Sequence, residues 1–237
     1  MYTLILSCEH ASNSVPEQLQ ATFEHRTQLL RSHRAYDQGA LDAAERIAKV
    51  TGAPLICGKC TRLAVDLNRS DKNPKRFSQY SRKLDAANRK LLEKQWHQPH
   101  RDSILNGITR IIQSNTSALH LSIHSFTPIL DGVRRDTDIG LLYDPSRKRE
   151  RAFASDLKSE VSRIIPNLKV RFNYPYRGVS DGITSWLRKQ FTETKYTGLE
   201  IEFNQKLLKN STEWNKCIGA FIAALEKVKG MKSAIFE

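Results

Sequence analysis

No apolar run in the sequence comes near the roughly 18 residues that a membrane-crossing helix needs. The longest, residues 217–225, falls well short of that length. With 11 Gly and 8 Pro in 237 residues, collagen and low-complexity linkers are excluded. There are four cysteines, too few and too scattered for a disulfide-stapled fold. Internal repeats, RNP sequences, helix-turn-helix patterns and paired zinc fingers are also missing. Acidic residues are the scarcer sign of charge: 25 Asp and Glu stand against 38 Lys and Arg, a net of +13. Such an excess favours anionic partners. The basic residues are scattered rather than blocked, so the surface reads as solvated, with neither nucleic acid nor membrane as the expected partner.

Residues 1–8 place no basic residue ahead of their apolar ones, which is not the pattern of a secretion signal. Together with the four cysteines this leads to an expectation of reduced thiols and a cytoplasmic location. Cys57-Gly58-Lys59-Cys60 has no companion CxxC pair and runs from a strand into a loop. It therefore reads as two ordinary thiols, not a redox motif or a structural zinc site. The length suits one domain over residues 1–237, with a core large enough to need no staple.

Short apolar runs alternate with helical periodicity. Strands are expected at 3–8, 54–57, 62–67, 118–123, 138–143, 169–172 and 196–203. Helices are expected at 16–23, 32–50, 84–96, 103–112, 150–165, 181–190 and 212–229. Thr51-Gly52 should stop the second of these helices, and Pro99 should interrupt the third. The alternation implies an α/β fold with three αβα layers around a central mixed, mostly parallel sheet. In such sheets ligands bind at the carboxyl ends of the strands.

Those ends are rich in ionisable groups. The first strand runs into Glu9-His10-Ala11-Ser12-Asn13, the third into Asp66-Leu67-Asn68-Arg69, the fourth into His124-Ser125, and the last through Glu200 and Glu202 to Asn204. Two imidazoles and several carboxylates at neighbouring strand ends suit a catalytic metal, which takes three protein ligands and keeps one position open. His10 and His124 are the imidazole candidates. Asp37 is the candidate carboxylate, with Glu9 and Asn13 as alternatives. Glu9 should point away on an extended chain, and the Asn13 amide is a poor ligand. Asp37 could equally serve a helix N-terminus, and Asp66 could be a buried partner of Arg62 or Arg69. His100 is expected at the surface.

The segments Cys8 to Asn13, His33 to Ala40, Arg62 to Arg69, His124 to Pro128, Asn173 to Tyr176 and Glu202 together resemble the N-formylglutamate amidohydrolase family, itself similar to zinc carboxypeptidases and aspartoacylase. The resemblance implies a phosphorylase/hydrolase-like fold and a zinc-dependent hydrolase of a small N-acyl amino acid. A metallopeptidase or amidase of related fold, acting on peptides or cell-wall fragments, is the alternative. It also implies roles for the residues: His10, Asp37 and His124 as Zn2+ ligands, Arg62 at the oxyanion, and Asn68 with Arg69 on a substrate carboxylate. Tyr176 would close over the substrate. Glu202 would act as general base, although Glu200 lies on the same strand face and could take that place. Asn204 stands where many relatives carry Arg.

Overall fold

The structure is a computed structural model and describes residues 2–230. Among these residues the elements run β1 (Tyr2–Cys8), α1 (Gln20–Phe23), α2 (Thr27–Leu30), α3 (Ala40–Thr51), β2 (Leu55–Cys57), α4 (Ala86–Leu92), α5 (Gln98–Gln113) and β3 (Ser117–Phe126). They continue with β4 (Ile129–Leu130), β5 (Val133–Arg134), β6 (Ile139–Leu142), α6 (Lys148–Ile164), β7 (Val170–Phe172), α7 (Ile183–Leu187), β8 (Tyr196–Asn204) and α8 (Ser211–Gly230). No helix among them is long and apolar enough to cross a membrane.

Six strands form one sheet in the order β2-β1-β3-β8-β6-β7. Neighbours are parallel except β8 and β6, which are antiparallel. This is the expected mixed, mostly parallel sheet between helical layers. Alternation along the strands sorts the two faces. Leu119, Leu121 and Ile123 of β3, with Leu199, Ile201 and Phe203 of β8, pack against α3, α6 and α8. Ile5, Ala118 and Tyr196 pack on the other side against Ile104 and Ile108 of α5 and Ile183 and Leu187 of α7. A smaller cluster joins Leu19 and Phe23 to Leu63, Val65, Leu67 and Leu92.

Four local expectations are corrected. Residues 62–67 are successive turns rather than a strand: Ala64 N–H donates to Thr61 O and Arg69 N–H to Asp66 O. The apolar residues there fill the smaller cluster, while Arg62 and Asp66 fold onto each other as an ion pair of 2.9 Å. The helix expected from residue 32 starts at Ala40, after Gly39, whose φ of +81° lets the chain turn into it. Gly52, also left-handed, ends it as expected. Pro99 does not break its helix: the chain stays helical from Ala86 to Gln113, with Pro99 in the first turn of α5. A π-helical turn over Glu93–His97 lies just before it. Finally, α7 is shorter than expected. The Asp181 carboxylate accepts from Ser70 N–H at 3.1 Å and Asn73 Nδ2 at 2.6 Å, outside the helix.

Candidate active site

β1, β3 and β8 lie side by side, so their carboxyl ends bring His10, His124 and Glu202 to one place. The register sets His124 opposite Glu202 and Ser122 opposite Glu200. Asp37 arrives from the loop before α3, tied down by its own N–H donating to His10 O at 3.0 Å. The two imidazole rings are 5.0 Å apart.

Both rings turn Nδ1 toward the same oxygen, Asp37 Oδ2, at 3.2 Å from His10 and 2.9 Å from His124. The Nε2 atoms are held from behind. His10 Nε2 meets Asp66 Oδ1 at 2.7 Å. His124 Nε2 meets Ser122 Oγ at 2.8 Å and Glu9 Oε2 at 3.1 Å. A carboxylate behind each imidazole fixes its orientation and makes its front nitrogen the better donor, the usual support of a metal-ligating histidine. Three buried electron-pair donors therefore face one another, all within 4.8 Å, in a group that could hold a metal ion. Two nitrogens and a carboxylate oxygen with further room beside them fit a catalytic divalent ion.

The electrostatics follow from this packing. Burial and the Arg62 charge push His10 down, but Asp66 and Asp37 outweigh them and raise it. Burial opposes the charged form of His124 too, yet hydrogen bonds to Asp37 and Glu9 hold it well above its ordinary range. Asp37 and Asp66 are held low against their burial, Asp37 by His10, His124 and Arg62, Asp66 by Arg62 and His10. Glu202 behaves in the opposite way. Burial, with Asp37 and Glu200 adding to it against the His124 charge, pushes its carboxyl up to about 8. Its Oε2 is buried with no hydrogen-bond partner among the described residues. Glu200 is half-buried, and its Oε1 accepts from the Thr184 hydroxyl at 2.9 Å.

Arg62 spans the two aspartates, Nη1 to Asp37 Oδ1 at 3.2 Å and Nη2 to Asp66 Oδ2 at 2.9 Å. Asn68 Oδ1 accepts from Ile183 N–H at 2.7 Å, and its Nδ2 lies 3.5 Å from His124 Nε2. Gly182 lies close beside them: a Cβ there would stand 2.7 Å from Glu200 Oε1 and 3.1 Å from Asn68 Oδ1 and would shift both side-chain ends. Arg69 Nη1 donates to Asp181 O at 2.8 Å. Tyr176 is exposed at the rim, its hydroxyl accepting from Arg135 Nη1 at 3.0 Å. Folding thus brings His10, Asp37, Arg62, Asn68, Arg69, His124, Tyr176 and Glu202 to the wall of one cavity of about 250 Å³, with Glu200 among them.

Other residues fall elsewhere. Asn13 donates to Leu30 O and stays out of the site. Glu9 does point away from the front of the site, into the support of His124. His100 is a correction: it is buried, with Nε2 3.4 Å from Glu9 Oε1. His97 and Arg101 are buried beside it, and His97 Nε2 and Arg101 Nη1 both reach Arg69 O, at 2.8 and 3.1 Å. Asn204 is fully buried and donates to Arg135 O and Thr137 O. The four cysteines are free thiols, and burial pushes Cys57 to about 11 and Cys60 to about 12, which suits inert thiols. Sequence reasoning missed Arg135 and the β4–β5 hairpin before it. Asp131-Gly132, both at positive φ, is the hairpin signal that could have located them.

No curated protein matches the sequence. Among solved structures, the gene product Atu2144 from Agrobacterium tumefaciens superposes with a TM-score of 0.82 at 27% identity, over 96% of this chain and 90% of that one. N-formylglutamate amidohydrolase from Ralstonia eutropha JMP134 superposes with a TM-score of 0.69 at 16% identity, over 96% and 94%, a likeness of fold. The model of the N-formylglutamate amidohydrolase family matches residues 2–209, which include every residue placed around the cavity. The chain belongs to the N-formylglutamate amidohydrolase family, a family of hydrolases.

Proposed function

We propose that the protein is a zinc-dependent amidohydrolase that cleaves the amide of a small N-acyl amino acid, with N-formylglutamate the first substrate to test. The observation that carries this reading is the meeting of two carboxylate-backed histidines, Asp37 and an unpartnered Glu202 in one cavity. His10, Asp37 and His124 would hold the ion, and the nitrogen and oxygen donors suit zinc. When bound, such an ion supplies Lewis acidity toward water and an amide carbonyl.

The chain's own groups do the rest. Positive charge among His10, Asp37 and His124 favours the ionised form of Glu202, so Glu202 takes a proton from water and returns it to the leaving amine. Arg62 keeps Asp37 and Asp66 in place and presents its charge, from the cavity wall, to the oxyanion. Arg69 offers a planar fork to the substrate carboxylate, with the Asn68 amide beside it. Tyr176 closes the rim. A cavity of about 250 Å³ fits one N-acyl amino acid more closely than a peptide, which ranks the peptidase reading second.

The test is a panel: zinc-loaded protein with N-formyl and N-acetyl amino acids against dipeptides and muropeptides, reading amine release. Turnover of the acyl amino acids, lost on chelation and restored by zinc, is the expected result. Turnover confined to the peptides, or untouched by a chelator, would replace this reading.

A further inference from the structure

The cavity holds a cation that the reaction above does not use. Arg135 follows the β4–β5 hairpin, and its side chain lines the cavity at 7% exposure. Burying a guanidinium is costly unless its charge is answered. Partly buried arginines elsewhere in the described residues are answered by carboxylates: Arg62 by Asp37 and Asp66, Arg76 by Glu93, Arg188 by Glu150. Arg101 stacks on the Trp186 ring at 4.1 Å, away from the cavity. Among the described residues no carboxylate lies within ion-pair distance of Arg135.

Its neighbours are neutral and hold it still. Nε donates to Thr127 O at 2.7 Å, Nη2 to Thr127 Oγ1 at 2.6 Å, and Nη1 to the Tyr176 hydroxyl at 3.0 Å. The backbone is pinned as well, Arg135 N–H donating to Pro128 O at 2.8 Å and Asn204 Nδ2 donating to Arg135 O at 2.9 Å. A guanidinium has five N–H donors, so both Nη atoms keep one without a partner. The positive field reaches His33 across the cavity wall, where partial burial and then the Arg135 charge hold the imidazole low. Arg69 comes from another element, tied to Asp181 ahead of α7.

We propose that Arg135 is a second carboxylate anchor of this cavity, receiving the side-chain carboxylate of an acidic N-acyl amino acid while Arg69 receives the other. The fork is fixed before the ligand arrives, which spares the ligand the cost of ordering it. The inference rests on the amidohydrolase reading for its substrate, but the anchor itself can be tested by binding alone.

The probes are glutarate and its monoamide, glutaramate, titrated calorimetrically into the zinc-loaded protein, together with the KM ratio of N-formylglutamine to N-formylglutamate. Wild type should favour the dicarboxylate roughly tenfold or more in both measurements. In Arg135→Gln the preference should fall to about twofold or less, with Arg135→Lys in between because a point charge lacks the fork. Equal binding of the two probes by wild type would overturn the anchor whether or not a variant folds. A preference that survives in Arg135→Gln, or inorganic phosphate displacing glutarate at equal concentration, would overturn it too. If no N-formyl compound is hydrolysed while glutarate binding still depends on Arg135, the anchor stands and the hydrolase reading falls.

Discussion

His120 and His124 are the same residue type on the same face of β3, both buried, and they have opposite electrostatics. His120 is enclosed by hydroxyls, Ser7 Oγ at 2.8 Å from Nε2 and Tyr196 OH at 2.9 Å from Nδ1. Burial pushes it down to about 4, and it is neutral at physiological pH. His124 lies between the carboxylates of Asp37 and Glu9, which raise it. Hydroxyls can donate or accept, so they satisfy a neutral imidazole completely and leave nothing for a ligand. Carboxylates only accept, so two of them around one imidazole call for positive charge. The inner end of this polar stripe is therefore sealed structure, and the outer end belongs to a group that could hold a cation.

The largest expected effect is at the outer end. His124→Ala removes a donor outright, so zinc affinity should fall by more than the roughly 10–100-fold typical of losing a group behind a ligand. Chelator competition measures it, and zinc held as tightly as by wild type would take His124 out of the ligand set. Glu202→Gln comes next. It should keep its zinc and lose turnover by about 10²–10⁴-fold. Glu200→Gln should be milder, because Glu200 is already engaged by Thr184. The reverse ranking would move the base to Glu200. Glu9→Gln is smaller again: the amide cannot accept as a carboxylate does, and zinc affinity should drop about 10–100-fold. An unchanged affinity would make Glu9 a filler of the core.

The contrast between the two histidines was only half visible in the sequence. Leu119-His120-Leu121-Ser122-Ile123-His124 alternates so cleanly that the strand and its two faces follow from it. The rule that ligands gather at strand ends then selects His124 over His120. It selects His10 and Glu202 in the same way, because each follows or closes an apolar run. Residues that reach the site by turns were harder to place. Residues 62–67 look like a strand by composition, but their apolar side chains serve a cluster with Phe23 and Leu92, and composition does not reveal which partner a segment will meet. His100 was misplaced because Pro99 reads as the end of a helix and puts His100 in a turn, whereas the chain stays helical through it and His100 lies on the buried side. Arg135 carries no local signature of its role. What singles it out is a place on the cavity wall with no carboxylate in ion-pair distance among the described residues, and that is a fact of tertiary packing.

The last expected effect, read in stability rather than in zinc affinity or turnover, is at the sealed end, where it tests whether the seal is real. His120 has a folded value near 4 against an ordinary 6.5. Between these values the unfolded chain binds a proton that the folded chain refuses, so stability is present above pH 6.5 and is lost as pH falls toward 4. The full shift corresponds to about 3 kcal/mol. Other groups also titrate in acid, so the informative quantity is a difference: unfolding free energies of metal-free wild type and His120→Gln, measured by urea denaturation at several pH values. Glutamine keeps a donor and an acceptor for Ser7 and Tyr196 but cannot take up the proton. The advantage of wild type over the variant should shrink steadily from pH 7 to pH 4.5. An advantage that stays constant over that range, or an NMR titration of His120 with a midpoint near 6.5, would show that the two ends of the stripe do not differ in the way their partners imply.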